Sequence, residues 1–122
     1  MKGIICMHYF MGLYDRPFEL VASGEKIVEV RLYDRKRRNL KIGDLITFNK
    51  LTNPLEDVTV RIKDLTRFPT FKEMYQAIPK EAMGSTDSSL EEMLEKTYTI
   101  YSPEKEQEWG TLAITIEKHE TD

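Results

Sequence analysis

Gly24-Glu25-Lys26-Ile27-Val28-Glu29-Val30-Arg31-Leu32 is the stretch on which the reading of this chain turns. Val28, Val30 and Leu32 share one face of a period-two strand. Glu29 and Arg31 project together from the other face, roughly 6.5–7 Å apart along the strand. Lys26 stands at the strand mouth, within reach of both. Three charges on so short an apolar alternation mark this strand as a candidate site.

The chain around it has 122 residues, 40% of them apolar, which is the size of one domain with one core, spanning 1–122. A single cysteine, Cys6, excludes an intramolecular disulfide and points to a reducing, cytoplasmic compartment. Its apolar neighbours predict a buried thiol. His8 and His119 lie near opposite ends of the sequence with no third ligand in view, so no metal site and no cofactor is expected. The opening Met-Lys-Gly-Ile-Ile-Cys-Met-His is too short and too polar for a signal peptide or a span, and no membrane association is expected.

A net charge of −3 argues against a general DNA-binding protein held by phosphate neutralisation. The average hides an asymmetry. Between Arg31 and Lys41 six basic residues face Asp34 alone, a local +5 that leaves −8 for the remainder. A basic edge on an acidic protein suits one short strand or one nucleotide better than a long duplex, and the plain alternative is a solvated loop.

The rest of the chain carries no repeat, low-complexity tract or linker. A first strand is predicted over Cys6–Met11. Asp15 reads as the N-cap of a short helix with Pro17 in its first turn, and Gly24 as its left-handed stop. Lys41-Ile42-Gly43-Asp44 turns into a strand at Leu45–Asn49. Val58, Val60 and Ile62 alternate with polar residues as the next strand, antiparallel to its predecessor. Thr70-x-x-Glu73 and Ser88-x-x-Glu91 are capping boxes opening two helices. The Ala82–Asp87 loop between them is of a kind that closes over ligands or simply connects. Ser102-Pro103 starts a third short helix ended by Gly110, and Thr111–Glu117 alternates as a last strand. The order gives an α+β domain.

The triplet Gly24-x-Lys26-x-x-Glu29-x-Arg31, with the Lys41-Ile42-Gly43-Asp44-Leu45 turn and strand after it, resembles the signature of the ASCH domain family of the PUA-like superfamily. Tyr101-Ser102-Pro103-Glu104 and Trp109-Gly110-Thr111-Leu112 resemble a bacterial single-domain branch of it. The resemblance covers about residues 7–117, and residues 1–6 fall outside. It implies a PUA-like, mainly antiparallel β-barrel with short helices covering one side, and a cleft between barrel and helices lined by Lys26, Glu29 and Arg31. It also implies recognition of RNA or of a modified nucleotide. One branch hydrolyses acylated cytidine with a lysine, a threonine on the same strand and a later glutamate. Here Glu29 stands where that threonine would be, and a carboxylate must act as a base on water or pair with Arg31.

Two readings of the triplet stay open. Glu29 and Arg31 are either an exposed ion pair worth about 0–1 kcal/mol, or part of a ligand site. For a ligand, Lys26 and Arg31 offer cationic donors to a phosphate or carbonyl, and Glu29 an acceptor for an exocyclic amine. Arg16 either adds a guanidinium to the same cleft or stays solvated. Stacking candidates are Tyr9, Tyr14, Tyr33, Tyr101 and Trp109, with Tyr14 and Tyr101 singled out because each precedes a helix cap. Ser102 reads as an N-cap, not a nucleophile. The expected function is RNA or modified-nucleotide binding by Lys26, Glu29, Arg31, Arg16, Tyr14 and Tyr101, with Arg35, Lys36, Arg37 and Arg38 guiding phosphates. The rivals are a hydrolase of a nucleoside amide or RNA with Lys26 and Glu29 as the catalytic acid/base pair, and a non-catalytic interaction module.

Overall fold

A computed structural model of the chain describes residues 6–120. Its elements run β1 (His8–Leu13), α1 (Asp15–Ser23), β2 (Val28–Leu32), β3 (Leu45–Lys50), β4 (Asn53–Phe68), α2 (Phe71–Ala77), α3 (Leu90–Ile100), α4 (Pro103–Trp109) and β5 (Thr111–Lys118). The five strands make one sheet ordered β1-β3-β4-β5-β2. Three of its pairings are antiparallel, and β1 runs parallel to β3.

The sheet curls until its two edge strands come within reach of each other: Arg31 Nη2 on β2 donates to the Gly12 carbonyl on β1 at 3.1 Å. The result is a half-barrel with an open seam, in keeping with the α+β, mainly antiparallel expectation. Its concave face holds the larger core, in which Leu13, Ile46, Phe48, Val60, Ile62, Leu112 and Ile114 meet Phe18 and Val21 of α1. A second core, with Val28, Met74, Met83, Met93 and Ala113, lies where α2 and α3 cover the β5–β2 side.

Local chemistry explains most element ends. Gly24 stops α1 at φ +85°, and Thr70 and Ser102 cap α2 and α4 by accepting from the Glu73 and Lys105 amides. Several predicted boundaries shift. Strand β1 begins at His8, not Cys6, and the Cys6 thiol is exposed, so the buried-thiol expectation fails. Tyr14, not Asp15, is the N-cap of α1, because the Asp15 carboxylate instead accepts the Thr52 hydroxyl at 2.6 Å. The full capping box of α3 is Ser89 with Glu92, one residue beyond the predicted pair. Strand β4 runs past Lys63 to Phe68 through an irregularity between Ile62 and Asp64.

Candidate functional site

Register decides where the charged triplet points. Glu29 pairs with Ile114 and Arg31 with Leu112, whose side chains belong to the concave core, so both charges face inward beside the seam. Val28 and Val30 turn the other way, toward the helices. The polar interior position is matched by ion pairing. Lys26 Nζ lies 2.8 Å from Glu29 Oε1, while Arg31 Nε and Nη2 both lie 2.8 Å from Oε2. Glu29 is only 3% exposed. The exposed-pair alternative is therefore overturned: the pair lies on one face and is buried.

Burial would push the Glu29 carboxyl upward. The charges and hydrogen bonds of Lys26 and Arg31 more than reverse this and hold it at about 2. Arg31 is desolvated too, yet Glu29 raises its pKa above the ordinary arginine value. Lys26 keeps N–H donors beyond the one aimed at Glu29, and Arg31 Nη1 beyond those on Glu29 and Gly12.

These donors face a cleft of about 640 Å³ that runs along the free edge of β2. Tyr14, Arg16, Lys26, Glu29, Arg31 and Tyr101 all line it. Tyr14 is 62% exposed at the mouth, whereas Tyr101 stacks on Phe71 at 5.4 Å between centroids. Tyr9, Tyr33 and Trp109 lie outside the lining. So does the basic segment: Arg37 pairs with Asp34 at 3.1 Å, Arg38 packs on aromatic rings, and Arg35 and Lys36 are exposed.

The cleft has further walls, of which sequence reasoning named the Ala82–Asp87 loop and missed Tyr75, Thr97 and the Val30 backbone. Tyr75 and Thr97 line it with their hydroxyls 2.6 Å apart, and burial, opposed by that hydrogen bond, pushes Tyr75 up to about 12. The visible signal was Thr97 itself, a polar residue one helical turn after Met93 on the buried stripe of α3. The loop carrying Gly84, Ser85 and Thr86 forms the opposite wall. It is pinned to the start of β2, where the Ile27 and Val28 amides both donate to the Ala82 carbonyl at 2.9 and 3.0 Å. The backbone contributes as well. Bonds at Ile27–Ile116 and Tyr33–Gly110 set the alternation of the β2–β5 ladder, which turns the Val30 N–H and C=O away from β5 into the cleft.

His8 and His119 hydrogen-bond Thr47 and Arg61, and among the described residues no three His, Cys, Asp or Glu side chains converge as for a metal. No helix among them is long and apolar enough to cross a membrane.

The fold and site together define a small α+β half-barrel domain with a buried Lys–Glu–Arg triad at its seam and a cleft of about 640 Å³ beside it. The sequence profile of the ASCH domain matches residues 11–120, and the chain belongs to that family. It is similar to hypothetical protein PH0355, known from a crystal structure, at 34% identity over 93% of this chain and 100% of that one, with a TM-score of 0.83. It is similar to protein PF0455 from Pyrococcus furiosus at 35% identity over 94% and 100% of the two chains, with a TM-score of 0.76. An ASCH domain from Lactobacillus crispatus shares the fold at 15% identity and TM-score 0.61, over 90% of this chain and 79% of that one. No curated protein matches the chain.

Proposed function

We propose that this protein binds a single nucleotide unit, free or within RNA and with a modified base among the candidates, in the seam cleft. The observation that carries this reading is the gathering of the Lys26 and Arg31 donors, the Glu29 acceptor and the Tyr14 and Tyr101 rings around one cavity of about 640 Å³. Ligand sites commonly fall between about 300 and 1,000 Å³. Lys26 and Arg31 suit a phosphate or ring carbonyl, and the Val30 backbone adds a donor and an acceptor for a base edge. Glu25, Glu81, Asp87 and Glu92 also line the cleft, so a run of phosphates is repelled there while one base and its sugar are not. Arg35 and Lys36, exposed outside the cleft, are placed for flanking phosphates. A single-domain protein of the bacterial branch, working in the cytoplasm, is part of the same reading.

Binding is favoured over turnover. The hydrolase alternative needs Glu29 as a base, and a carboxylate held at about 2 is a poor proton acceptor at neutral pH. Nucleosides, acylated nucleosides, nucleoside monophosphates and short RNAs titrated calorimetrically against the protein and its Lys26→Met variant test the reading. Binding lost in the variant, with the ligand recovered unchanged, is the expected result. Chemical conversion of any ligand, or equal binding by both proteins, refutes it.

A further inference from the structure

Away from the cleft lining, Arg67 of β4, Tyr33 after β2, Arg38 and Trp109 at the end of α4 pack as an alternating ladder of cations and rings. The Arg67 guanidinium carbon lies 4.0 Å from the Tyr33 centroid. That of Arg38 lies 5.5 Å from Tyr33 and 4.9 Å from Trp109. Cation–π contacts occur about once per 70–80 residues, so one or two are expected in a chain this long. Here three converge on two rings. The arrangement also gathers like charge: both guanidiniums lie within 5.5 Å of one ring, and Arg35 and Lys36 stand exposed on the same segment as Arg38. Among the described residues none of these four cations has a carboxylate within salt-bridge distance. A purely structural cluster would gain by pairing some of that charge, whereas this one leaves it for an anion.

We propose that Arg67, Tyr33, Arg38 and Trp109 form a second subsite, which takes a nucleotide flanking the one in the cleft, so that the partner is a single-stranded RNA and not a free nucleoside. This rests on the nucleotide reading of the cleft. Guanidiniums held over rings keep N–H donors for phosphates, and the half-buried Trp109 ring, with the guanidiniums beside it, offers a surface on which a base stacks without regard to its identity. The two sites adjoin along β2: Tyr33 follows Arg31 of the cleft lining by two residues, and its amide donates to the carbonyl of Gly110, next to Trp109, at 2.9 Å. The acidic lining of the cleft then serves to keep the RNA backbone outside, on the ladder, while one nucleotide enters.

Trp109 is the only tryptophan, so its fluorescence reports on the ladder alone. The protein is titrated with an oligouridylate octamer, with uridine monophosphate and with phosphatidylserine vesicles, at about 50 and 200 mM salt. The octamer is expected to quench Trp109, and the monophosphate, whose binding is followed by calorimetry, to leave it unchanged. Arg38→Gln with Arg67→Gln is expected to weaken octamer binding about tenfold and to flatten its salt slope by about one, at unchanged monophosphate affinity. Arg38→Lys, which keeps the charge and loses the plane, is expected to keep the slope and lose the quench. It stands in if the double variant does not fold. Octamer binding without a Trp109 response, equal octamer affinity in wild type and variants, no octamer binding, or binding to vesicles in place of RNA each overturns the second subsite. Quenching by the octamer with no monophosphate binding keeps the ladder and refutes the cleft instead.

Discussion

Replacing Glu29 by glutamine removes one charge from the seam and leaves its shape, since glutamine resembles the protonated acid. The cost follows from the pKa. An ordinary glutamate titrates at 4.5 and this one at about 2 in the folded protein. A depression of this size corresponds to about 3 kcal/mol of stability from the ionised form. Because the folded value is lowered, that contribution is complete above pH 4.5 and is lost as the pH falls toward 2. The same figure lies at the lower end of the roughly 3–5 kcal/mol for breaking a buried ion pair. For a domain of this size it lowers Tm by about 10 °C. Urea unfolding, followed by Trp109 fluorescence at a series of pH values, measures the difference between wild type and Glu29→Gln. It is expected near 3 kcal/mol at pH 7 and close to zero by pH 2, closing between pH 4.5 and 2. A difference below about 1 kcal/mol at pH 7, or one that does not change with pH, would falsify the argument that the two cations hold this carboxylate.

Three further outcomes are expected. Gly84→Ala places a Cβ 3.0 Å from Leu20 Cδ1 and 3.4 Å from Lys26 at a backbone φ of +76°; it should cost about 1–2 kcal/mol in chemical denaturation and weaken cleft binding by moving Lys26. Ser89→Ala breaks the capping box of α3 and should lower stability by about 1 kcal/mol, read as a shift in the urea midpoint at unchanged slope, with ligand affinity affected less than by Gly84→Ala. Tyr75 and Tyr98 are pushed up to about 12, by burial first and, for Tyr98, by Glu106; raised folded values mean stability complete below pH 10 and lost from there toward 12, so Tyr75→Phe should unfold later in alkali than wild type, and an equal midpoint would contradict this.

How far the fold could be read depended on whether the information was local. The alternation from Val28 to Leu32, the left-handed stop at Gly24 and the caps at Thr70 and Ser102 involve neighbours in sequence, and each appeared where expected. The α3 start was ambiguous because Ser88–Glu91 and Ser89–Glu92 are overlapping boxes, and only the second closes. The length of β4 was hidden by its irregularity. The extra residue near Lys63 flips the inward phase from Val58, Val60 and Ile62 to Leu65, so a strict period of two stops short. The Asn53–Asp57 end of β4 is exposed and carries no apolar pattern. At the site, the six singled-out residues line one cleft, but the depth of Glu29 was not legible. Its burial depends on the sheet curling until β1 meets β2, and that contact spans distant parts of the chain.

The unclosed seam has one more consequence. Strand β2 is an edge, and a free edge of valine and leucine invites pairing with the same edge of another molecule. Inward-pointing charges are one means by which natural sheets prevent this, and Glu29 and Arg31 sit where they do so. Since a buried ion triad can often be exchanged for apolar residues at little cost to folding, a chain with Lys26→Met, Glu29→Leu and Arg31→Met together would retain its fold. What it would lose is solitude: two such half-barrels, each offering an apolar edge, would find in one another the strand that the seam leaves out.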